Sequence, residues 1–299
     1  MGYEFCTPAP SSHLRLEPSK ILCMARNWIS PLELNSRLEN PHLVLFDTQF
    51  NLMNPALGRE LYAEGHLPGA YFLDVNLDLS SPVLEHGGRH PLPDLTELVD
   101  KLERSGVTHA SEIVVYDDMG GMYAARLWWL LKYLGHDDVK LLDGGLNAWL
   151  EAGFQMTVDV PPTRAGKFTP TVRPELLATL EDVQKAVQGR QVRLLDARAA
   201  ERFRGEKETV DPVAGHIPGA ENYPFMDNLE NGHFKALELL EQRFEGVNSS
   251  AILYCGSGVT AAHNALVLDE LGVKPKLYAG SWSDWISYPE NPIKTGDRP

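Results

Sequence analysis

The sequence predicts an α/β protein of two tandem domains, each an open parallel sheet flanked by helices, with a Pro-rich linker between them. Three observations predict this. Four short landmarks occur twice, in the same order, along the 299 residues. In both copies brief apolar runs alternate with longer stretches of helical spacing. A stretch rich in proline separates the two copies.

Taken along the chain, Leu43-Val44-Leu45-Phe46-Asp47 is echoed by Val192-Arg193-Leu194-Leu195-Asp196. His66-Leu67-Pro68-Gly69-Ala70 returns as His216-Ile217-Pro218-Gly219-Ala220. Ile113-Val114-Val115-Tyr116-Asp117 matches Ala251-Ile252-Leu253-Tyr254-Cys255. Leu142-Asp143-Gly144-Gly145 with Trp149 matches Tyr278-Ala279-Gly280-Ser281 with Trp285. Residues 113–116 and 252–254 read as short strands. Residues 124–134 and 261–271 read as helices that close at Gly135 and Gly272. Strand, tight turn, helix and strand in repetition is the pattern of a parallel sheet.

The expected organisation is therefore a loose extension over 1–26, a first domain over 27–155, a linker over 156–174 and a second domain over 175–299. The linker carries Pro161, Pro162, Gly166, Pro170 and Pro174 and reads as a semi-rigid spacer. The extension mixes charged residues with proline and lacks a signal-peptide pattern. Its Cys6 and Cys23 read as bystanders.

The chain is 43% hydrophobic and 23% charged, with a formal net charge of −14. Such a surface repels phosphate backbones and anionic headgroups, so neither nucleic acid nor membrane is expected as a partner. A small anionic substrate would need a local cluster of arginines. The three cysteines form no C-x-x-C pair and no zinc spacing. No metal or cofactor is expected, and a reducing, cytoplasmic setting suits the free thiols.

Cys255 is the candidate nucleophile. A strand delivers it to the start of a helix, where ligands of open α/β sheets bind. In the run Cys255-Gly256-Ser257-Gly258-Val259-Thr260 the glycines let several N–H groups turn toward one sulfur atom. Such a nest, backed by a helix N-terminus, favours the thiolate. A buried structural cysteine is the bland alternative. A phosphate loop lacks its Lys-Ser/Thr here, and a cysteine phosphatase would need an Arg where Ala261 stands.

These motifs resemble those of the tandem-domain rhodanese family of sulfurtransferases, from about Asn27 onward. The loop CGSGVTA is similar to that of the mercaptopyruvate-using branch; the thiosulfate-using branch places basic residues after the cysteine. The resemblance implies that the first copy is silent, with Asp117 in the place of Cys255. It implies that Cys255 takes sulfur from a small anionic donor and holds it as a persulfide. A thiol acceptor such as thioredoxin or a small thiol, or cyanide, then removes it. Ser257 matches the serine of a Ser-His-Asp relay, and His90 in Gly87-Gly88-Arg89-His90-Pro91 matches its histidine. Asp74 is the candidate acid, although alignment places Asn76 on that position. Arg89 and Arg202 match donor-binding residues, with Gly256, Gly258, Val259 and Thr260 forming the loop around the donor. Thr209 stands where the pattern has a further Arg.

Residues kept in the silent copy read as fold. His66 and His216 are expected to hydrogen-bond in turns, and Asp47, Asp196, Trp149 and Trp285 to serve the architecture. Trp128 and Trp129 read as core or interdomain contacts. Arg198 reads as a salt-bridged surface residue, with a catalytic role as its alternative. Two functional readings stay open beside mercaptopyruvate sulfur transfer: a thiosulfate sulfurtransferase, and a non-catalytic module that binds a partner or senses sulfur. The intact Cys255 loop and the pair Arg89/Arg202 favour an enzyme.

Overall fold

Runs such as Leu43-Val44-Leu45-Phe46 carry apolar residues without alternation, as strands covered on both faces must. They become the middle of the sheets. The computed structural model describes residues 27–189 and 191–297. Its first half holds β1 (Trp28–Ile29), α1 (Pro31–Asn35), β2 (Leu43–Asp47), α2 (Leu57–Glu64) and β3 (Ala70–Phe72). It continues with α3 (Leu95–Arg104), β4 (Glu112–Tyr116), α4 (Ala124–Tyr133), β5 (Val139–Leu142) and α5 (Gly145–Glu151). The second half holds α6 (Leu180–Gly189), β6 (Leu194–Asp196), α7 (Ala200–Phe203), β7 (Ala220–Asn222) and the hairpin β8 (Leu229–Glu230) and β9 (His233–Phe234). It ends with α8 (Leu237–Arg243), β10 (Ile252–Tyr254), α9 (Thr260–Glu270), β11 (Lys276–Leu277) and α10 (Ser281–Trp285).

Strand order is β1-β5-β4-β2-β3 in the first sheet and β11-β10-β6-β7 in the second, all parallel. The missing edge of the second sheet is a single parallel bridge, Leu177 to Leu277. The repeat therefore extends to topology. The paired landmarks make equivalent bonds: the Tyr116 hydroxyl accepts from Leu67 N at 3.0 Å, and the Tyr254 hydroxyl from Ile217 N at 3.2 Å. His66 and His216 hydrogen-bond through Nδ1 to the carbonyls of Tyr62 and Phe203, both at 2.8 Å, and stack on those rings.

Residues 124–133 are apolar nearly all round, which requires burial on more than one side. One side of α4 faces its own sheet and another meets α9 of the second half. Trp128, Trp129, Leu130 and Leu131 join Ala262, Leu266 and Val267 in one continuous core. Polar contacts seal its rim. Asn27 Nδ2 donates to Asp269 at 2.9 Å and to the Leu266 carbonyl at 3.3 Å. The β8–β9 hairpin reaches back so that Asp143 accepts from Phe234 N at 2.9 Å, while Phe234 stacks on Trp28 at 4.2 Å.

The segment expected to be a spacer is instead strapped along the first half. Thr157 pairs with His66, Arg164 with Ser105 and Lys167 with Thr108 in isolated bridges. Phe168 is buried in the shared core. Its prolines occupy positions that leave the remaining N–H groups free to donate, as Thr171 N does to the Leu134 carbonyl at 2.9 Å. Among the described residues no helix is long and apolar enough to cross a membrane. The extension 1–26, with Cys6 and Cys23, lies outside the described residues.

A core shared across both halves should melt as one unit. Thermal unfolding is expected to show a single transition, and Leu266→Ala should destabilise by about 2–5 kcal/mol while keeping it single. Two resolved calorimetric transitions in the parent protein would contradict the shared core.

Candidate active site

The turn from β10 into α9 places Cys255 at the carboxyl end of a central strand, 2% exposed. Gly258 has φ +74°, and a Cβ there would lie 2.3 Å from the Ala279 carbonyl oxygen, so this corner accepts only glycine. Its N–H donates to Cys255 Sγ at 3.1 Å. Burial pushes the thiol up, but the Thr260 hydroxyl and the Ser257 and Ala261 N–H groups outweigh it. The net result is a thiol held below its ordinary value.

The first half shows the same turn filled by a different anion. The Asp117 carboxylate accepts from the N–H groups of Met119, Gly121, Tyr123 and Ala124 at 2.7–2.9 Å. Burial raises this carboxyl, with the four donors opposing. A loop whose N–H groups converge on a carboxylate in one copy can converge on a sulfur anion in the other.

The last landmark supports the nucleophile from behind. Trp282 N donates to the Cys255 carbonyl at 3.0 Å, Ser283 N to the Gly256 carbonyl at 2.9 Å, and Cys255 N to Ser281 Oγ at 3.0 Å. Ser281 adopts φ +56°, a strained value outside glycine that these bonds hold in place. In the first copy the equivalent position is Gly145, at φ +59°.

Above the sulfur lies a cavity of ≈ 260 Å³ between the two halves. Its wall includes Arg89, His90 and Tyr123 from the first half, with Arg198, Arg202, Ser257, Val259 and Thr260 from the second. Arg89 reaches over this loop, so that a Cβ at Gly256 would sit 2.9 Å from Arg89 Nη2. The loop carrying Arg89 and His90 is docked on α10: Gly87 N donates to Asp284 at 2.7 Å and Arg89 N to Ser283 Oγ at 3.0 Å.

His90 Nδ1 lies 2.7 Å from Ser257 Oγ, and its Nε2 lies 3.0 Å from Asn76 Oδ1. An amide oxygen accepts, so Nε2 carries the proton and Nδ1 accepts from the serine hydroxyl. Burial, then Arg126 and Arg89, depress His90 to about 3. The imidazole is neutral. Asp74, the candidate acid, does not touch it; its Oδ1 accepts from Asn76 N at 2.8 Å and Leu77 N at 3.1 Å, closing a turn. That is a correction to the expected relay. A side chain engaged by its own backbone two residues on cannot also reach the imidazole.

The arginines differ from expectation in their partners. Arg89 is ion-paired to Asp211 across the two halves. Arg202 is paired to Asp211 and to Glu208, each at 2.9 Å. Arg198 is buried rather than on the surface, held by Asp196 at 2.6 Å and the Gly215 carbonyl at 2.7 Å. Asp196 leaves it raised despite burial. Of the other expected residues, Val259 and Thr260 line the cavity, and Gly258 serves through its backbone.

A family described as the rhodanese-like domain matches residues 30–152 and again 179–288. The chain belongs to the rhodanese family. It is 47% identical over 274 residues to a probable 3-mercaptopyruvate sulfurtransferase of Pseudomonas aeruginosa, covering 89% of this chain and 96% of that one. It is 40% identical to a putative thiosulfate sulfurtransferase of Mycobacterium tuberculosis, over 84% of this chain and 90% of that one. A solved 3-mercaptopyruvate sulfotransferase of Escherichia coli superposes with a TM-score of 0.74 at 30% identity, covering 86% of this chain and 99% of that one.

One residue of this rhodanese site was not singled out from sequence. Arg126, in α4, is fully buried and has no carboxylate partner among the described residues. It donates to the Gly258 carbonyl at 3.1 Å, to His90 at 3.0 Å and to Pro91 at 3.3 Å, so it ties the nucleophile loop to the His90 loop. Burial lowers it to about 10, and the Cys255 charge works the other way. A signal was present: one arginine inside an all-apolar helical run must be matched by something.

Arg126→Met is expected to raise the Cys255 thiol, because a buried positive charge near it is lost. The pH profile of iodoacetamide alkylation would move upward accordingly, with Arg126→Lys in between. A folded Arg126→Met protein with an unmoved profile would show that the cation only ties backbone together.

Proposed function

We propose that this chain is a sulfurtransferase that takes a sulfur atom from 3-mercaptopyruvate onto Cys255 and passes it to a thiol or cyanide. The observation that carries this reading is a buried thiolate in an N–H nest at the floor of an arginine-walled cavity. Membership of the rhodanese family and the named relatives support it. A purely binding module has no need of a depressed thiol beside guanidinium groups.

In the loading step the Cys255 thiolate attacks the donor's thiol sulfur and an S–S bond forms. The C–S bond breaks with its electron pair passing to carbon, and the thiol proton ends on that carbon as pyruvate leaves. Cys255 keeps a persulfide anion in the nest that held the thiolate. In the second step an acceptor thiolate attacks the outer sulfur, and Cys255 leaves as the thiolate again. No redox partner is required. The donor carboxylate is bound by Arg89 and Arg202, whose forked N–H groups match it.

Ser257 spends its hydroxyl proton on His90, which leaves the Ser257 oxygen to accept from the donor's S–H. Asn76 fixes the tautomer of His90 without adding the charge that would stabilise an imidazolium. The relay here is a hydrogen-bond chain that orients the S–H bond, not a store for a proton. Acceptor identity, with thioredoxin or a small thiol as candidates, and a cytoplasmic setting belong to the same proposal.

Incubation with 3-mercaptopyruvate should add one sulfur atom to the intact protein at Cys255, read by mass spectrometry, and Cys255→Ser should abolish it. Ser257→Ala should slow loading from 3-mercaptopyruvate about tenfold or more, with little change for thiosulfate, which carries no S–H. Equal slowing with both donors would remove Ser257 from proton handling.

The thiolate is the reactive form, so loading gains as pH rises through the Cys255 ionisation. That single rise should fall below the ordinary thiol value of about 8.5. No step is expected near 6.5, because His90 stays neutral there. A second inflection between pH 6 and 7 that disappears in His90→Gln would reverse the assignment of a neutral imidazole.

A further inference from the structure

The wall of the cavity offers three guanidinium groups, and each already has a carboxylate. Arg198 is paired to Asp196, Arg202 to Glu208 and Asp211, and Arg89 to Asp211. Asp196, Glu208 and Asp211 are not themselves part of the wall. The side chains of Asp211 and Glu208 are 1% and 4% exposed, so solvent does little to screen them. The fourth guanidinium, Arg126, has no such partner among the described residues, and a thiolate at Cys255 would balance it.

Three arginines against three carboxylates, and Arg126 against the thiolate, leave the resting site with no surplus positive charge. Yet donors remain unused. Arg89 Nε and Arg198 Nη1 are buried without a hydrogen-bond partner. For Arg198 Nη1 the nearest paired carboxylate oxygen, on Glu208, stands at 3.6 Å, too far for a hydrogen bond. Both nitrogens are closed off from solvent, so they add no donor that an anion in the cavity could reach. What the cavity offers is guanidinium groups already paired to carboxylates, which give an anion little net Coulomb attraction and favour a donor of single charge over one of double charge.

We propose that Asp211 is the residue that sets this preference. It bridges Arg89 of the first half and Arg202 of the second, and so withdraws one unit of positive charge from where the donor's anionic end binds. A monoanionic 2-oxo acid thiol tolerates the withdrawal; the thiosulfate dianion meets the thiolate with one countercharge too few. Asp211 acts through the arginines and is a positioning residue. Glu208 supports it twice, since its carboxylate accepts from Asp211 N at 3.0 Å and pairs with Arg202. The inference rests on sulfur loading at Cys255 as the underlying reaction.

The test compares kcat/KM for thiosulfate and for 3-mercaptopyruvate in the full-length parent, Asp211→Asn, Asp211→Glu and Glu208→Gln. The parent is expected to prefer mercaptopyruvate. Asp211→Asn should raise the thiosulfate-to-mercaptopyruvate ratio roughly tenfold, as one unscreened charge at contact range allows. The change should lie mainly in KM and persist as salt rises, because the charge removed is buried. Asp211→Glu keeps the charge and should keep the parent ratio, whereas a merely structural role would be disturbed in both variants. Glu208→Gln should move the ratio in the same direction, and it carries the test alone if the Asp211 variants do not fold. An unchanged ratio in the folded neutral variants overturns the inference while sulfur transfer stands. A parent that loads sulfur from neither donor overturns both.

Discussion

Everything in the site follows from keeping a sulfur anion out of water. Desolvating a charge is costly unless hydrogen bonds and countercharge replace the lost hydration. The β10–α9 turn supplies the hydrogen bonds, through Gly258 N and the donors of Ser257, Thr260 and Ala261. The turn can do so only because Gly258 takes a left-handed corner against Ala279 and because Ser281 braces it from behind. The loop from Cys255 to Thr260 carries no basic residue, so the countercharge has to come from elsewhere. Arg126, in the other half of the molecule, is the guanidinium without a carboxylate of its own among the described residues.

The two halves keep the same strand-to-helix turn but fill it differently. The first half closes its nest on the Asp117 carboxylate, which four backbone N–H groups of its own loop satisfy. That half contributes α4 to the shared core and Leu52, Arg89, His90, Met122 and Tyr123 to the cavity wall. The packing of α4 on α9 is thus both the main apolar contact between the halves and the device that carries Arg126 to Gly258. Fold stability and electrostatics use the same pair of helices.

Much of this was legible in the sequence. The doubled landmarks fixed the architecture, because a repeat of strand, turn and helix leaves few topologies. Cys255 stood out by its local pattern, and Ser257, His90, Arg89 and Arg202 by their likeness to family motifs; the structure brings all five to one cavity. What was not legible involves partners distant in sequence. Asp74 and Asn76 are two residues apart, and only the rotation of the loop decides that Asn76 meets His90. Arg198 looked like a surface residue because one charge beside Asp196 says nothing about depth. Asp211 lies in a stretch without periodicity, where no spacing foretells a bond to Arg89 on the other half. The proline-rich segment was misjudged for a related reason: composition marks it as irregular, but the docking of Phe168 depends on a groove formed elsewhere.

The order of the two halves along the chain has a consequence for how the protein is made. Synthesis runs from the amino terminus, and domains tend to fold as they emerge. Arg89, His90 and Arg126 all belong to the earlier half, whereas Cys255 and the Ser281 brace lie close to the carboxyl end. These side chains are therefore synthesised before the cysteine, but their loop has nothing to dock on until α10 is made, since Gly87 N and Arg89 N donate to Asp284 and Ser283. The thiol is thus buried in the same late step that fixes the groups around it.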